Sequence, residues 1–103
     1  PSGRDPAAAG YPIRVTEMLA TLAGPAYLAR GSLHDTQHIL QAKRYIRKAF
    51  LAQQQGRGFS LVELLSTCPT NWGLEPPDAM TWLRDHMLPY YPLGEFRQIE
   101  GVR

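Results

Sequence analysis

The residues of this chain best suited to chemistry are a lone cysteine and a pair of histidines. Cys68 lies in the stretch STCPTNWG (66–73), directly after the apolar run FSLVELLS (59–66). His34 and His38 are four residues apart, a spacing that places two side chains on one side of a helix, where they could share a metal ion. Because no Glu or third His completes a zinc set, we interpret them as partly exposed residues at the start of a helix.

Three roles are open for Cys68. It could be inert, because free cysteines are often buried. It could be a nucleophile, although no His lies near it in sequence to act as its base. It could also be one ligand of a metal or cluster, since ligands and chemistry lie at the carboxyl ends of strands in α/β sheets. The last role requires further ligands from outside this chain.

The other polar groups favour structural roles. His86 has no obvious partner, which favours a surface or interface position. A solvated helix face is favoured over an anion site for four basic residues, Lys43, Arg44, Arg47 and Lys48. Three hydroxyl residues lie near the two ends of the second predicted strand without forming a G-x-S-x-G elbow, namely Ser60, Ser66 and Thr67. Neither glycine-rich phosphate-binding signature is present, so no phosphate-cradling loop is predicted.

The elements that would position these groups form a strand–helix–strand unit. A mostly apolar stretch at 26–30 predicts a strand, and Asp35 can cap a long helix that Gly56 stops. The predicted apolar stripe of this helix is Ile39, Ala42, Ile46, Ala49 and Phe50. The near-continuous apolar run at 59–66 is typical of a strand covered on both faces in a parallel sheet. The sequence therefore predicts an α/β fold with a partial parallel sheet and flanking helices.

The flanking segments complete this prediction. Residues 1–12 are rich in Gly, Pro and Ala and indicate an extended arm, which leaves 13–103 as the domain. An apolar stripe predicts a helix from Ile13, formed by Val15, Met18, Leu19 and Leu22. Pro76 and Pro77 suit the first turn of a last helix, and the aromatic end of the chain predicts an irregular tail.

Composition narrows the class of protein. The 103 residues suit one domain, and a net charge of +2 is too small to indicate a nucleic-acid partner. The sequence contains no run of 18 apolar residues, so no membrane-spanning helix is predicted. A single Cys fits a reducing cytoplasm. Two strands with open edges make a poor independent fold, which predicts half of a larger domain or self-association.

Three segments together resemble a known family. GYPIRVTEMLATLAGPAYLARGSLHD (10–35), GRGFSLVELLSTCPTNWGL (56–74) and MLPYYPLGEF (87–96) are similar to the C-terminal half of the β subunit of 2-oxoacid:ferredoxin oxidoreductases. The similarity is greatest to the 2-oxoglutarate and 2-ketoisovalerate branch. It covers nearly the whole chain and implies the C-terminal half of a thiamine-diphosphate-binding domain.

The resemblance also implies cofactors and partners. Such enzymes decarboxylate a 2-oxoacid oxidatively to acyl-CoA and CO₂ and pass electrons to ferredoxin, using thiamine diphosphate, Mg²⁺ and a four-iron–four-sulfur cluster. It implies that Cys68 is a cluster ligand, surrounded by Pro69, Thr70, Asn71 and Trp72, with Pro69 ending the strand so that the thiol turns outward. Other enzyme subunits, ferredoxin, CoA and the 2-oxoacid are the implied partners. No residue here is assigned a catalytic role.

The chain departs from the family in lacking the Gly-Asp-Gly thiamine signature and the other cluster cysteines. We therefore expect that the N-terminal half of the domain is absent, and that the isolated chain is inactive and carries no cofactor or cluster. The alternative is a non-catalytic relic of the domain that acts as an interaction module with an inert Cys68.

Overall fold

A computed structural model describes residues 3–99 of the chain. Within these residues, six helical segments and three strands follow one another in the order α1 (Pro6–Ala9), α2 (Val15–Leu19), β1 (Pro25–Ser32), α3 (Thr36–Gln54), β2 (Phe59–Leu65), α4 (Pro69–Trp72), α5 (Pro76–Trp82), a π-helical segment (Leu83–Met87) and β3 (Gly94–Arg97). The predicted α/β class is confirmed. So is the strand–helix–strand unit, because β1 and β2 pair in parallel on either side of α3 in the chain.

The centre of the sheet is β1, which lies between β2 and β3. Seven of its eight residues are buried. On one face Tyr27 and Ala29 pack against Tyr45 and Ala52 of α3, and together with Ile99 these residues form the hydrophobic core. Gly31 leaves room for this helix, since a Cβ there would lie 3.1 Å from Leu64 and 3.3 Å from Tyr45. The long helix is thereby held close to the strand.

The prediction of an irregular tail was wrong, because part of this segment forms the third strand, β3. Gly94–Arg97 pairs antiparallel with β1, with Glu95 opposite Ala29. Side chains fix it further: Arg97 donates through Nη1 to the carbonyl of Pro25 at 2.9 Å. This pairing depends on contacts some 70 residues apart in the chain, so a four-residue strand gives little local signal. The last residues of the predicted tail, 100–103, lie outside the described residues.

The prediction that the run 59–66 is covered on both faces was wrong for the part of the chain described. In β2 only Leu65 is buried, and Phe59 is 51% exposed. The reason is topological, because β2 is an edge strand of the sheet. Its apolar outer residues and those of α3, chiefly Ile46 and Phe50, line an open apolar groove of about 280 Å³.

The long helix begins as predicted. Asp35 has extended backbone angles and its Oδ1 accepts a hydrogen bond from the backbone N–H of His38 at 2.8 Å, which caps the helix. Its buried residues are Ala42, Tyr45 and Ala52, however, whereas Phe50 of the predicted apolar stripe is 67% exposed.

The N-terminal segments are less regular than the sequence predicted. One helical turn, α1, lies inside the predicted arm, and the division of the chain at residue 12 stays a prediction. The helix expected from Ile13 spans only Val15–Leu19, where the buried residue is Thr16 and Met18 is 53% exposed. Among residues 3–99, the helices are all too short or too polar to cross a lipid bilayer.

Candidate functional site at the carboxyl ends of the parallel strands

The carboxyl ends of β1 and β2 lie side by side at one edge of the sheet. Ser32 is opposite Leu65, and the backbone N–H of Leu33 donates to the carbonyl of Leu65 at 2.9 Å. The segments that leave this edge carry the residues singled out by the sequence, with His34 two positions after β1 and Cys68 three positions after β2. In α/β proteins this edge is where ligands and reactive groups are placed.

Cys68 is an exposed free thiol. It is the N-cap of α4, a single helical turn whose first residue is Pro69. Its backbone carbonyl accepts a hydrogen bond from the N–H of Trp72 at 2.9 Å, which closes the helical turn. The side chain takes no part in this bond and is accessible. The predicted role of Pro69 was wrong. The strand already ends at Leu65, and Pro69 begins a helical turn instead.

Aromatic rings pack beside this turn. Trp72 lies 4.8 Å from Trp82 between ring centroids, and Trp82 stacks on His86 at 5.1 Å. His86 is exposed, as its predicted surface position requires. These three residues form part of the lining of an open cavity of about 570 Å³, to which Arg4 contributes a cation. The aromatic packing fixes the position of α4 and, through it, that of Cys68.

His34 and His38 come together with a carboxylate that the sequence reading treated only as a helix cap. Their ring centroids are 4.3 Å apart. His34 Nε2 lies 3.3 Å from Oδ2 of Asp35, and His38 Nδ1 lies 2.6 Å from Oδ1 of the same residue. One possible ligand atom from each of the three residues fits within 4.8 Å of the others. The signal that could have revealed this trio was the spacing H-D-x-x-H itself.

Burial and hydrogen bonds set the charge states of this trio. The side chain of His34 is 6% exposed, and burial lowers the pKa of this residue below its ordinary value, which keeps the ring neutral at neutral pH. The backbone hydrogen bond from His38 lowers the pKa of Asp35, so its carboxylate is charged. The trio therefore presents one anion and at least one uncharged imidazole.

Of the remaining polar candidates, Lys48 and Ser60 make structural contacts, and most of the others are exposed. Lys48 pairs with Glu95 of β3 at 2.9 Å, and Glu95 also accepts a hydrogen bond from the hydroxyl of Tyr27 at 2.6 Å. Lys43 and the arginines of the same helix, Arg44 and Arg47, are exposed. The hydroxyl of Ser60 accepts a hydrogen bond from Gln53 at 3.3 Å. Ser66 is exposed and Thr67 is half-buried in the segment that leads to Cys68.

The sequence did not predict an ion cluster that is built on the buried Arg30 of β1. Arg30 of β1 is fully buried and forms a fork with Glu17, with Nη1 donating to Oε2 at 2.8 Å. Its Nε donates to Glu63 of β2 at 3.0 Å, and Thr16 donates to the same carboxylate oxygen at 2.7 Å. The hydrogen bond from Arg30 lowers the pKa of Glu17. This cluster joins α2 to both parallel strands.

The sequence of the chain is similar to those of several oxidoreductase subunits. Ketoisovalerate oxidoreductase subunit VorA of Methanothermobacter thermautotrophicus is 40% identical over 97 residues, which are 94% of this chain and 20% of that protein. VorA of Methanothermobacter marburgensis matches equally, at 40% over 97 residues. 2-Oxoglutarate synthase subunit KorB of Archaeoglobus fulgidus is 34% identical over 68 residues, 66% of this chain and 23% of that subunit. The chain is a homologue of these 2-oxoacid oxidoreductase subunits.

The family resemblance predicted from the sequence is thereby confirmed. The matched region is the C-terminal part of the related subunits, and the chain spans about a fifth of the length of the relatives it matches. No protein-family model matches the chain, and no solved structure matches it. As a 2-oxoacid oxidoreductase homologue, the chain carries at the carboxyl edge of its sheet both an accessible thiol and a histidine–carboxylate trio.

Proposed function

We propose that this chain is part of a 2-oxoacid oxidoreductase subunit that contributes a cluster-ligating thiolate to the complete enzyme. The reaction proposed is oxidative decarboxylation of a 2-oxoacid to acyl-CoA and CO₂, with electrons passed to ferredoxin. The observation that carries the proposal is 40% identity over 94% of the chain to a ketoisovalerate oxidoreductase subunit. The 2-oxoglutarate relatives match a shorter region at 34–35%, which favours a branched-chain 2-oxoacid as substrate.

The position of Cys68 fits one ligand of an iron–sulfur cluster. Iron–sulfur clusters are held by cysteine thiolates, and a ligand supplied by one segment must reach outward to meet the others. Cys68 is exposed, free and held by a short turn at the edge of the sheet. Because a four-iron cluster takes four such ligands, the remaining thiolates must come from other parts of the enzyme.

The described residues do not fit a magnesium–diphosphate site. Mg²⁺ prefers an octahedral shell of oxygen ligands. Within residues 3–99, the group with metal-binding spacing is His34, Asp35 and His38, which is rich in nitrogen instead. Thiamine diphosphate and Mg²⁺ are therefore proposed as cofactors of the complete enzyme, held by residues outside this chain.

The contribution of this chain to the mechanism is structural and electrostatic. When bound, thiamine diphosphate supplies the carbon chemistry and the cluster supplies a path for single electrons. Cys68 would hold one iron of the cluster as a thiolate, and the packing of Trp72 on Trp82 positions the α4 turn that carries it. The buried pairing of Arg30 with Glu17 and Glu63 keeps β1 and β2 in register beneath this edge. Other subunits of the enzyme are the proposed partners of the exposed apolar surface.

An activity assay of the complete enzyme tests the proposal. We expect CoA-dependent reduction of ferredoxin, or of a viologen dye, when 2-ketoisovalerate is added under anaerobic conditions. Activity with a branched-chain 2-oxoacid should exceed that with 2-oxoglutarate, because the longer and closer matches are to ketoisovalerate enzymes. An enzyme that reduces neither acceptor with any 2-oxoacid would overturn the proposal and favour the interaction-module alternative.

A further inference from the structure

We propose that His34, Asp35 and His38 form a binding site for one Zn²⁺ ion. This site is separate from the role proposed for Cys68 and does not depend on the oxidoreductase assignment. It uses two imidazoles and one carboxylate, a ligand set that zinc takes with three protein groups and a water molecule. His34 and Asp35 lie in the three-residue connection between β1 and α3, and His38 lies in the first turn of α3.

One pair of ligand atoms already has the spacing expected for coordination by a single ion. Two ligand atoms on one tetrahedral Zn²⁺ lie about 3.3 Å apart, since each is about 2.0–2.2 Å from the metal. His34 Nε2 and Asp35 Oδ2 are separated by 3.3 Å. The third ligand atom, from His38, completes a set with no pair separated by more than 4.8 Å.

Asp35 can cap the helix and bind the ion at the same time. Its Oδ1 accepts the hydrogen bond from the His38 backbone N–H at 2.8 Å and also lies 2.6 Å from His38 Nδ1. The second oxygen, Oδ2, faces His34 Nε2. One carboxylate oxygen therefore serves the backbone while the other is directed at the proposed ion.

A buried hydroxyl orients the first histidine. Ser32 is fully buried at the end of β1, and its Oγ lies 2.7 Å from His34 Nδ1. Histidines that bind metals nearly always donate their other ring N–H to a hydrogen-bond acceptor, which fixes the tautomer and the ring plane, and the hydroxyl oxygen of Ser32 can accept in this way. In the tautomer that donates Nδ1–H to Ser32, the lone pair of Nε2 points toward Asp35 and is available to the ion. This contact comes from the strand and is independent of the helix cap.

The surroundings leave room for a water ligand. The side chain of His34 is 6% exposed, whereas those of Asp35 and His38 are 47% and 29% exposed. The site is thus anchored on its inner side and open on its outer side. The positive charge of Arg84 acts electrostatically on the His34 ring. The ion pair of Arg84 with Asp85 at 3.0 Å partly offsets this charge.

Zinc titration of the 103-residue chain with Cys68→Ser tests the proposal, because that substitution removes the competing thiol. Equilibrium dialysis should give one Zn²⁺ per chain, and Co²⁺ in its place should give the visible absorbance of a tetrahedral site. Asp35→Asn keeps an oxygen cap on the helix and should raise the Kd at least about tenfold. His38→Gln should do the same, and Ser32→Ala should raise the Kd about tenfold through the loss of ring orientation.

His86→Gln is the matched control, because His86 is an exposed histidine outside the trio. It should leave stoichiometry and Kd unchanged. Circular dichroism of each metal-free variant should show the helix content of the parent, which separates lost ligation from lost folding. Absence of zinc binding by the Cys68→Ser chain would overturn the proposal. Binding that survives both His38→Gln and Asp35→Asn would also overturn it.

Discussion

Replacing the buried arginine of the central strand, as Arg30→Met, is expected to lower the free energy of unfolding by about 3 kcal/mol. Arg30 is fully buried and holds two carboxylates, those of Glu17 and Glu63. Removing the cation leaves two partly buried carboxylates without a counter-ion. The free-energy cost of these uncompensated charges adds to the attraction that is lost. The expected value is at the lower end of such effects because the two carboxylates are 30% and 27% exposed and keep some water.

Urea unfolding of the 103-residue chain, followed by circular dichroism, measures this loss. The matched control is Arg84→Ala, which breaks an ion pair whose side chains are 59% and 50% exposed. Surface pairs contribute little, so this control should change the free energy of unfolding by less than about 1 kcal/mol. Equal effects of the two substitutions would show that the buried cluster does not hold α2 against the strands.

The parallel strand–helix–strand unit could be predicted because its signals are local. An aspartate at an N-cap, a glycine beyond the helix end and two apolar runs are read within a few residues of each other. Asp35 caps α3 as predicted, and the strands occupy Pro25–Ser32 and Phe59–Leu65. The helix between them fixes their parallel order.

Which faces are buried could not be predicted in the same way. An apolar stripe indicates which face of a helix is apolar, but it does not indicate whether this chain or another one packs against that face. Within the described residues, Met18 and Leu22 are each 53% exposed and Phe50 is 67% exposed, although all three belong to the predicted stripes. Exposed apolar residues in such numbers mark interaction surfaces, which agrees with a homologue of much longer subunits. Self-association of this chain through them stays a prediction.

The candidate site was predictable residue by residue but not as an arrangement. Cys68 and the two histidines were singled out from their types, whereas Asp35 was interpreted only as a cap. Its second role depends on Ser32 turning the His34 ring, a contact between strand and loop. Arg30 was missed because a charged residue in a mostly apolar strand is only identifiable as buried once its acidic partners are placed.

Cys68→Ser in the complete oxidoreductase is expected to cause the largest functional loss. An alcohol oxygen is a poor substitute for a thiolate at iron, so the cluster should be lost or degraded. Iron and sulfide content and the visible absorbance of the purified enzyme should fall, and 2-oxoacid-dependent electron transfer should fall at least about a hundredfold because the single-electron path is broken. The fold should be retained, because Cys68 is exposed and its side chain makes no cap hydrogen bond.

Ser66→Ala is the matched control, since Ser66 is exposed in the same segment and offers no thiolate. It should leave iron content and electron transfer unchanged. Unaltered iron content in Cys68→Ser would refute the ligand role while leaving the family relationship intact, because that relationship rests on sequence identity over 94% of the chain. The isolated chain supplies one thiolate where four are needed, so it should purify without iron. Stoichiometric cluster in the isolated chain would mean that copies of Cys68 share a cluster between chains, and the ligands would then have to be assigned anew.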